Sequence, residues 1–176
     1  MSSARQAQGD RFTSLVEKHA GILRKVARAY CPSASQRSDL VQEMTTALWR
    51  SFDRYDASRP FATWMYRVCL NVAISFFRSE ERYIHTVRAL DEIGGPAQSP
   101  PADPRVAQLL ECIDELGAFD KALVLLHLDG YAHAEIASIL GISSTNAATK
   151  LARIKDRLRQ AVTALANEEG SVYGKP

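Results

Sequence analysis

The segment from Tyr131 to Arg159, YAHAEIASILGISSTNAATKLARIKDRLR, holds side chains suited to a polyanion. Asn146, Lys150, Arg153 and Arg157 are spaced by four, three and four residues, so on a helix they share one polar stripe. Ala147, Leu151, Ile154 and Leu158 repeat that spacing on an adjacent apolar stripe, which faces inward. An Arg fork matches a guanine edge, an Asn amide matches adenine, and Lys or Arg neutralises phosphates. Ser144, Thr145 and Thr149 add short hydrogen-bonding groups at the start of the same helix. Just upstream, Glu135, Ile136, Ala137 and Leu140 define a short helix stopped by Gly141, and Ile142 is placed to pack between the two helices before Ser143 caps the second. This is the pattern of a helix-turn-helix, whose second helix enters the major groove. A solvated basic helix without a partner shows the stripe alone; coincidence of turn, cap and stripe points to DNA.

A second cluster mixes Arg54, Arg59, Arg67, Arg78 and Arg82 with Tyr55, Phe61, Trp64, Tyr66, Phe76 and Phe77. Positive charge follows phosphates, and rings receive bases unstacked from the duplex. Several of these rings also lie on an apolar stripe and equally suit a core. The remaining chemistry-bearing types form no site. His19, His85, His127 and His133 have no metal-ligand spacing with one another or with Cys31, Cys69 and Cys112. No glycine-rich phosphate loop and no Gly-x-Ser-x-Gly occurs, and the paired carboxylates Glu80-Glu81, Asp114-Glu115 and Glu168-Glu169 diverge on a helix. The expectation is a chain without catalysis, metal or cofactor.

The elements that position these residues read as helices throughout. In 176 residues, 46% hydrophobic and 24% charged, there is no strand-like alternation and no run near the roughly 20 apolar residues that span a bilayer. The polar start MSSARQAQGDR lacks a secretory core, and three well-separated cysteines form no disulfide framework, so a cytoplasmic protein is expected. Phe12, Leu15, Val16, His19, Ile22, Leu23, Val26 and Tyr30 predict one amphipathic helix ending before Pro32. Ser38 can cap a second, with Leu40, Val41, Met44, Ala47, Leu48 and Phe52 inside and Asp39, Gln42 and Glu43 outside. Pro60 suits the first position of a third, running to about Arg82 with Phe61, Trp64, Met65, Val68 and Val72 on its stripe. The stretch DEIGGPAQSPPADPR, residues 91–105, breaks all periodicity and reads as a linker. Beyond it, Val106, Leu109, Leu110, Ile113 and Leu116 mark one helix and Ala122 to Leu128 another, closed by Asp129-Gly130, followed by the helix-turn-helix to about Ala166. The fold class is therefore all-α, with two small helical domains, 1–90 and 106–166, and a tail at 167–176.

Charge follows the same division. Residues 1–90 hold 14 Lys and Arg against 8 Asp and Glu, residues 91–145 hold 2 against 9, and residues 146–176 hold 6 against 3. Two basic blocks flank an acidic one, which fits two polyanion surfaces separated by a repelling middle.

With these residues in place, the chain resembles the extracytoplasmic-function group of the sigma-70 family. DLVQEMTTALWRSFDRYD followed by FATWMYRVCLNVAISFFR is similar to that family's region 2, and the helix-turn-helix to its region 4.2, in the same order. The resemblance implies that Asp39, Gln42 and Glu43 dock the clamp helices of the polymerase largest subunit. It implies that the loop Tyr55 to Pro60, with Arg54, Asp56, Arg59, Phe61, Trp64, Asn71 and Arg78, meets the minus-10 element, the loop and Asn71 together holding a flipped base. Ser144, Thr145, Asn146, Thr149, Lys150, Arg153 and Arg157 would meet the minus-35 element. The implied partners are core RNA polymerase, through its clamp helices and flap, promoter DNA, and an anti-sigma factor; no membrane is among them. The chain departs from the family pattern at Leu116-Gly117, where Leu-Pro is usual, at Ala132 in place of a Ser or Thr cap, and at Ser144-Thr145-Asn146-Ala147. Two other readings stand beside this one: a one-component helix-turn-helix regulator with a sensing domain, and a helical adaptor that binds only proteins.

Overall fold

The computed structural model describes residues 2–87, 109 and 111–172, and every regular element among them is helical. The chain divides into two compact units, Met1–Gly95 and Pro96–Pro176. The expected linker at 91–105 lies outside the described residues, as do Val106, Leu110 and the Arg82 side chain.

The first unit comprises α1 (Ser2–Lys18), α2 (Ala20–Tyr30), α3 (Ala34–Ser51), a 3-10 turn over Phe52–Arg54, and α4 (Phe61–Val87). The stripe from Phe12 to Tyr30 belongs to two helices, not one. The chain breaks at His19 (φ −111°, ψ 16°), whose amide donates to the carbonyls of both Leu15 and Val16. The His19 carbonyl then accepts the Ile22 amide at 2.9 Å, and its ring packs 5.4 Å from that of Phe61. A one-residue turn leaves the apolar period intact, so periodicity alone does not reveal it. Helix α2 stops at Cys31, extended at φ −127° and ψ 117°, as the following proline demands.

Helix α3 begins four residues before Ser38. Its cap is Ser33, whose Oγ accepts the Gln36 amide at 3.2 Å and donates to Gln36 Oε1 at 3.0 Å, a Ser-x-x-Gln cap closed between the two side chains. Pro60 acts as the cap of α4 and not as its first turn: its carbonyl accepts the Trp64 amide. Leu40, Met44 and Leu48, spaced by four, are fully buried, and α2, α3 and α4 pack pairwise around them. Because α4 packs against two helices, its buried arc is wider than the stripe read from the sequence. Tyr66, Cys69, Leu70, Ala73 and Ile74 join Phe61 and Met65 inside, while Trp64, Val68 and Val72 are half-buried. Burial pushes the Cys69 thiol up to about 12, so it stays neutral through the physiological range.

The second unit holds a helical stretch α5 at residues 111–114, then α6 (Ala118–Leu128), α7 (His133–Leu140) and α8 (Ser144–Val172). Helix α6 starts four residues before Ala122, from Gly117, whose carbonyl accepts the Lys121 amide at 3.0 Å. Helix α8 continues six residues past Ala166, into the expected tail. Leu116, Leu123, Leu126, Ile136, Ala147, Leu151 and Ile154 form the core. Each buried Leu or Ile contributes about 1.5–3 kcal/mol, which holds the α7–α8 corner against α6.

Candidate nucleic-acid interface

The corner between α7 and α8 is built by backbone geometry that few residue types accept. Gly141 sits in the left-handed region at φ +70°, and the amides of Gly141 and Ile142 both donate to the carbonyl of Ala137. Ser143 then starts α8, its Oγ accepting the Asn146 amide at 3.1 Å. Ala147, Leu151 and Ile154 are buried, so the opposite face of the helix is presented to solvent. Ser144, Thr145, Asn146, Thr149 and Arg153 are exposed there, and the Thr149 hydroxyl donates back to the Thr145 carbonyl at 2.9 Å.

The polar stripe is not uniform. Lys150 and Arg157 lie on the flank of α8 nearer the rest of the unit. Lys150 Nζ is 3.7 Å from Asp120 Oδ1 and 5.7 Å from the Phe119 ring centre, while Arg157 Nη2 is 3.5 Å from Glu115 Oε2. These acidic partners are not visible in the sequence, where the acidic block reads as a repelling middle and not as counter-ions to the basic helix. Arg153 makes no ion pair among the described residues.

Helix α7 has the cap the sequence lacks an oxygen for. Ala132 is extended (φ −68°, ψ 155°), and its amide donates to Glu135 Oε2 at 2.8 Å, so only the reciprocal half of a capping box forms. Ala132→Ser adds a side-chain acceptor for the Glu135 amide, which otherwise donates to the Ala132 carbonyl at 2.9 Å. It should stabilise the second unit by about 1 kcal/mol, raising its melting temperature by about 4–8 °C in calorimetry; no gain would mean the hydroxyl does not reach.

In the first unit the loop after the 3-10 turn is held by its own residues. Ser58 donates its amide to Asp56 Oδ1 at 2.9 Å, the Arg59 amide donates to the Asp56 carbonyl at 3.1 Å, and the Tyr55 hydroxyl donates to the Arg59 carbonyl at 2.8 Å. The Ser58 hydrogen bonds, and then the Arg59 guanidinium 3.7 Å away, hold the Asp56 carboxyl below its usual range. Tyr55 stands among three rings, Phe61 at 5.2 Å, Trp64 at 5.1 Å and Phe52 at 6.1 Å. Phe61, expected among the base-contacting rings, is only 6% exposed and instead supports Tyr55 and Trp64. Phe52, expected on the inner face and buried there, is the hub of this cluster and also meets Phe12 and Arg11. Arg54, Arg59 and Arg78 are exposed.

Asn71 lies elsewhere. It is ten residues beyond Phe61, about 15 Å further along α4. There it lines an open groove of about 940 Å³ between α3 and α4, together with Asp39, Gln42, Glu43, Arg50 and Ser75. The structure thus brings Asn71 together with the expected polymerase-docking residues and not with the Tyr55 loop. Thr46 Oγ1 donates to the Gln42 carbonyl at 2.9 Å, which leaves the Asp39, Gln42 and Glu43 side chains projecting from a regular helix face.

Among the described residues no group of three His, Cys, Asp or Glu side chains could hold a metal ion, and no helix is long and apolar enough to cross a membrane.

Comparison with known proteins matches residues 15–83 to Sigma-70 region 2 and residues 107–158 to Sigma-70 region 4. The chain is 26% identical over 165 residues to the RNA polymerase sigma factor NccH of Alcaligenes xylosoxydans xylosoxydans, covering 88% of this chain and 89% of that protein. It is 29% identical over 171 residues to the ECF RNA polymerase sigma factor SigL of Mycobacterium tuberculosis, covering 94% and 92%. Its fold is similar to that of the sigma factor RpoE crystallised with the anti-sigma factor NepR from Bartonella quintana, with a TM-score of 0.68 and 18% identity over 87% of this chain and 97% of that one. It is likewise similar to CnrH in complex with the cytosolic domain of CnrY, with a TM-score of 0.63 and 24% identity over 92% and 95%.

Proposed function

The chain belongs to the sigma-70 family, among the extracytoplasmic-function sigma factors, and from that premise we propose how its residues divide the work of promoter recognition. It is a promoter-recognising subunit of RNA polymerase. Residues 1–90 take the core-binding and minus-10 work and residues 106–166 the minus-35 work, with 91–105 as the linker between them. Asp39, Gln42 and Glu43 meet the basic clamp helices of the largest subunit, an acidic patch on a positive one. Arg54, Arg59 and Arg78 neutralise phosphates of the minus-10 strand. The Tyr55 and Trp64 rings, braced by Phe61 and by the hydrogen-bonded Asp56 turn, receive one base, and Asn71 reads another from the α3–α4 groove. Ser144, Thr145, Asn146, Thr149 and Arg153 face the major groove at the minus-35 element, with Lys150 and Arg157 at its edge.

This chain makes and breaks no bond and works in the cytoplasm, beside the polymerase. The relatives solved with NepR and CnrY support an anti-sigma factor as a further partner here. The observation that carries the reading is the ordered pair of regions, 15–83 and 107–158, the second folded as a helix-turn-helix with its exposed face free of core contacts. A one-component regulator would need a sensing domain in the stretch that matches region 2, so that reading gives way. Two separate helical units each lose freedom on binding one duplex, a cost that core polymerase removes by holding both. The free chain is therefore expected to bind promoter duplex weakly in fluorescence anisotropy, and the complex with core to bind it tightly. Equally tight, specific binding by the free chain would contradict this.

A further inference from the structure

Two of the three cations on the polar stripe of α8 are already answered by carboxylates of the same unit. Asp120, in the first turn of α6, stands 3.7 Å from Lys150, which also lies over the Phe119 ring; Glu115, in the turn before α6, stands 3.5 Å from Arg157. All four charged groups keep substantial exposure, 40% and 36% in the first pair and 57% and 71% in the second. Such exposed pairs add little to folding, because water and salt screen them. Their effect on a polyanion is larger. A phosphate that approaches Lys150 or Arg157 must displace a carboxylate and then remain beside it. Arg153, between them in sequence, carries no such counter-ion among the described residues.

We propose that Glu115 and Asp120 are specificity-determining residues. They occupy the flanking cations of α8 and so suppress sequence-independent attraction to DNA, leaving discrimination to Arg153, Asn146 and their neighbours. The proposal rests on the reading that α8 meets DNA. Phosphate contacts give affinity to any duplex, whereas base-edge contacts favour one sequence. On a duplex that lacks the base contacts α8 is not held in register and settles where its cations meet most phosphates, so damping those cations weakens binding to other DNA more than to the promoter and raises the ratio between them.

The test uses the full chain assembled with core polymerase, titrated over a range of salt on a promoter duplex and on a scrambled duplex of equal length. Glu115→Gln with Asp120→Asn should strengthen binding to the scrambled duplex severalfold. It should steepen the log-affinity against log-salt slope by up to about one unit for each freed cation, and lower the promoter-to-scrambled ratio. Adding Lys150→Gln and Arg157→Gln should erase the extra slope. Glu111→Gln, an exposed acid four residues before Glu115, is the control for net charge alone. An equal gain from Glu111→Gln, or an unchanged slope in the double variant, overturns the proposal. So does a joint fall in binding to both duplexes with a lower melting temperature, the result of pairs that merely brace the fold. If the unmodified complex fails to distinguish promoter from scrambled DNA, the DNA-binding reading itself fails, and this shows before any variant is made.

Discussion

Asp39→Arg combined with Glu43→Arg is expected to abolish stable assembly with core RNA polymerase. The two carboxylates are one helical turn apart on the exposed face of α3, and neither makes an ion pair among the described residues, so folding does not depend on them. Docked against basic clamp helices, the change replaces two attractions with two repulsions. Like charges juxtaposed in an interface cost several kcal/mol, which corresponds to a loss of about a hundredfold or more in affinity. Gel filtration of mixed chain and core should show the variant eluting free, with its helical circular dichroism and melting temperature unchanged. Co-elution equal to that of the unmodified chain would remove this face from the interface.

The second large effect separates the two DNA surfaces. Arg153→Ala should act upstream. If its guanidinium meets a guanine edge, binding falls by about 1–3 kcal/mol and only at one minus-35 position; if it meets phosphate, binding weakens on all sequences and the salt slope drops by about one unit. Asn71→Ala should act downstream, reducing melting and relaxing preference at one minus-10 base while leaving duplex binding upstream intact. Because Asn71 shares its groove with Asp39 and Glu43, the same variant must also be tested for core assembly. Intact assembly with lost melting supports base reading. Lost assembly would transfer Asn71 to the polymerase interface.

These assignments differ in how far local sequence could carry them. The helix-turn-helix is legible because its determinants are local: only a residue free of a Cβ sits comfortably at φ +70° where Gly141 does, and Ser143 caps from the adjacent position. The all-α class follows from period alone. The break at His19 was hidden, since a single-residue turn preserves that period. The apolar period points to Ser38 as the cap of α3, whereas Gln36, three residues after Ser33, marks Ser33 as the true one. Nonlocal relations were the least visible. That Asn71 faces Glu43 across a groove depends on how α3 packs on α4. That Lys150 and Arg157 are held by acids 30 and 42 residues earlier in the chain depends on α8 folding back beside α6. Phe61 and Trp64 are alike in the sequence pattern, yet the position of α2 and the His19 ring buries one and leaves the other half-open.

The central claim, that this chain directs core polymerase to promoters and helps open them, is tested most directly by transcription from genomic fragments of the source organism with core polymerase, in the presence and absence of the chain. The 5′ ends of the transcripts are mapped, and permanganate reactivity is read around each start. The account predicts new, discrete start sites that appear only with the chain, each preceded by one shared pair of upstream elements, with unpaired thymines confined to the region of the minus-10 element. Start sites identical to those of core alone, or new binding without reactive thymines, would contradict it.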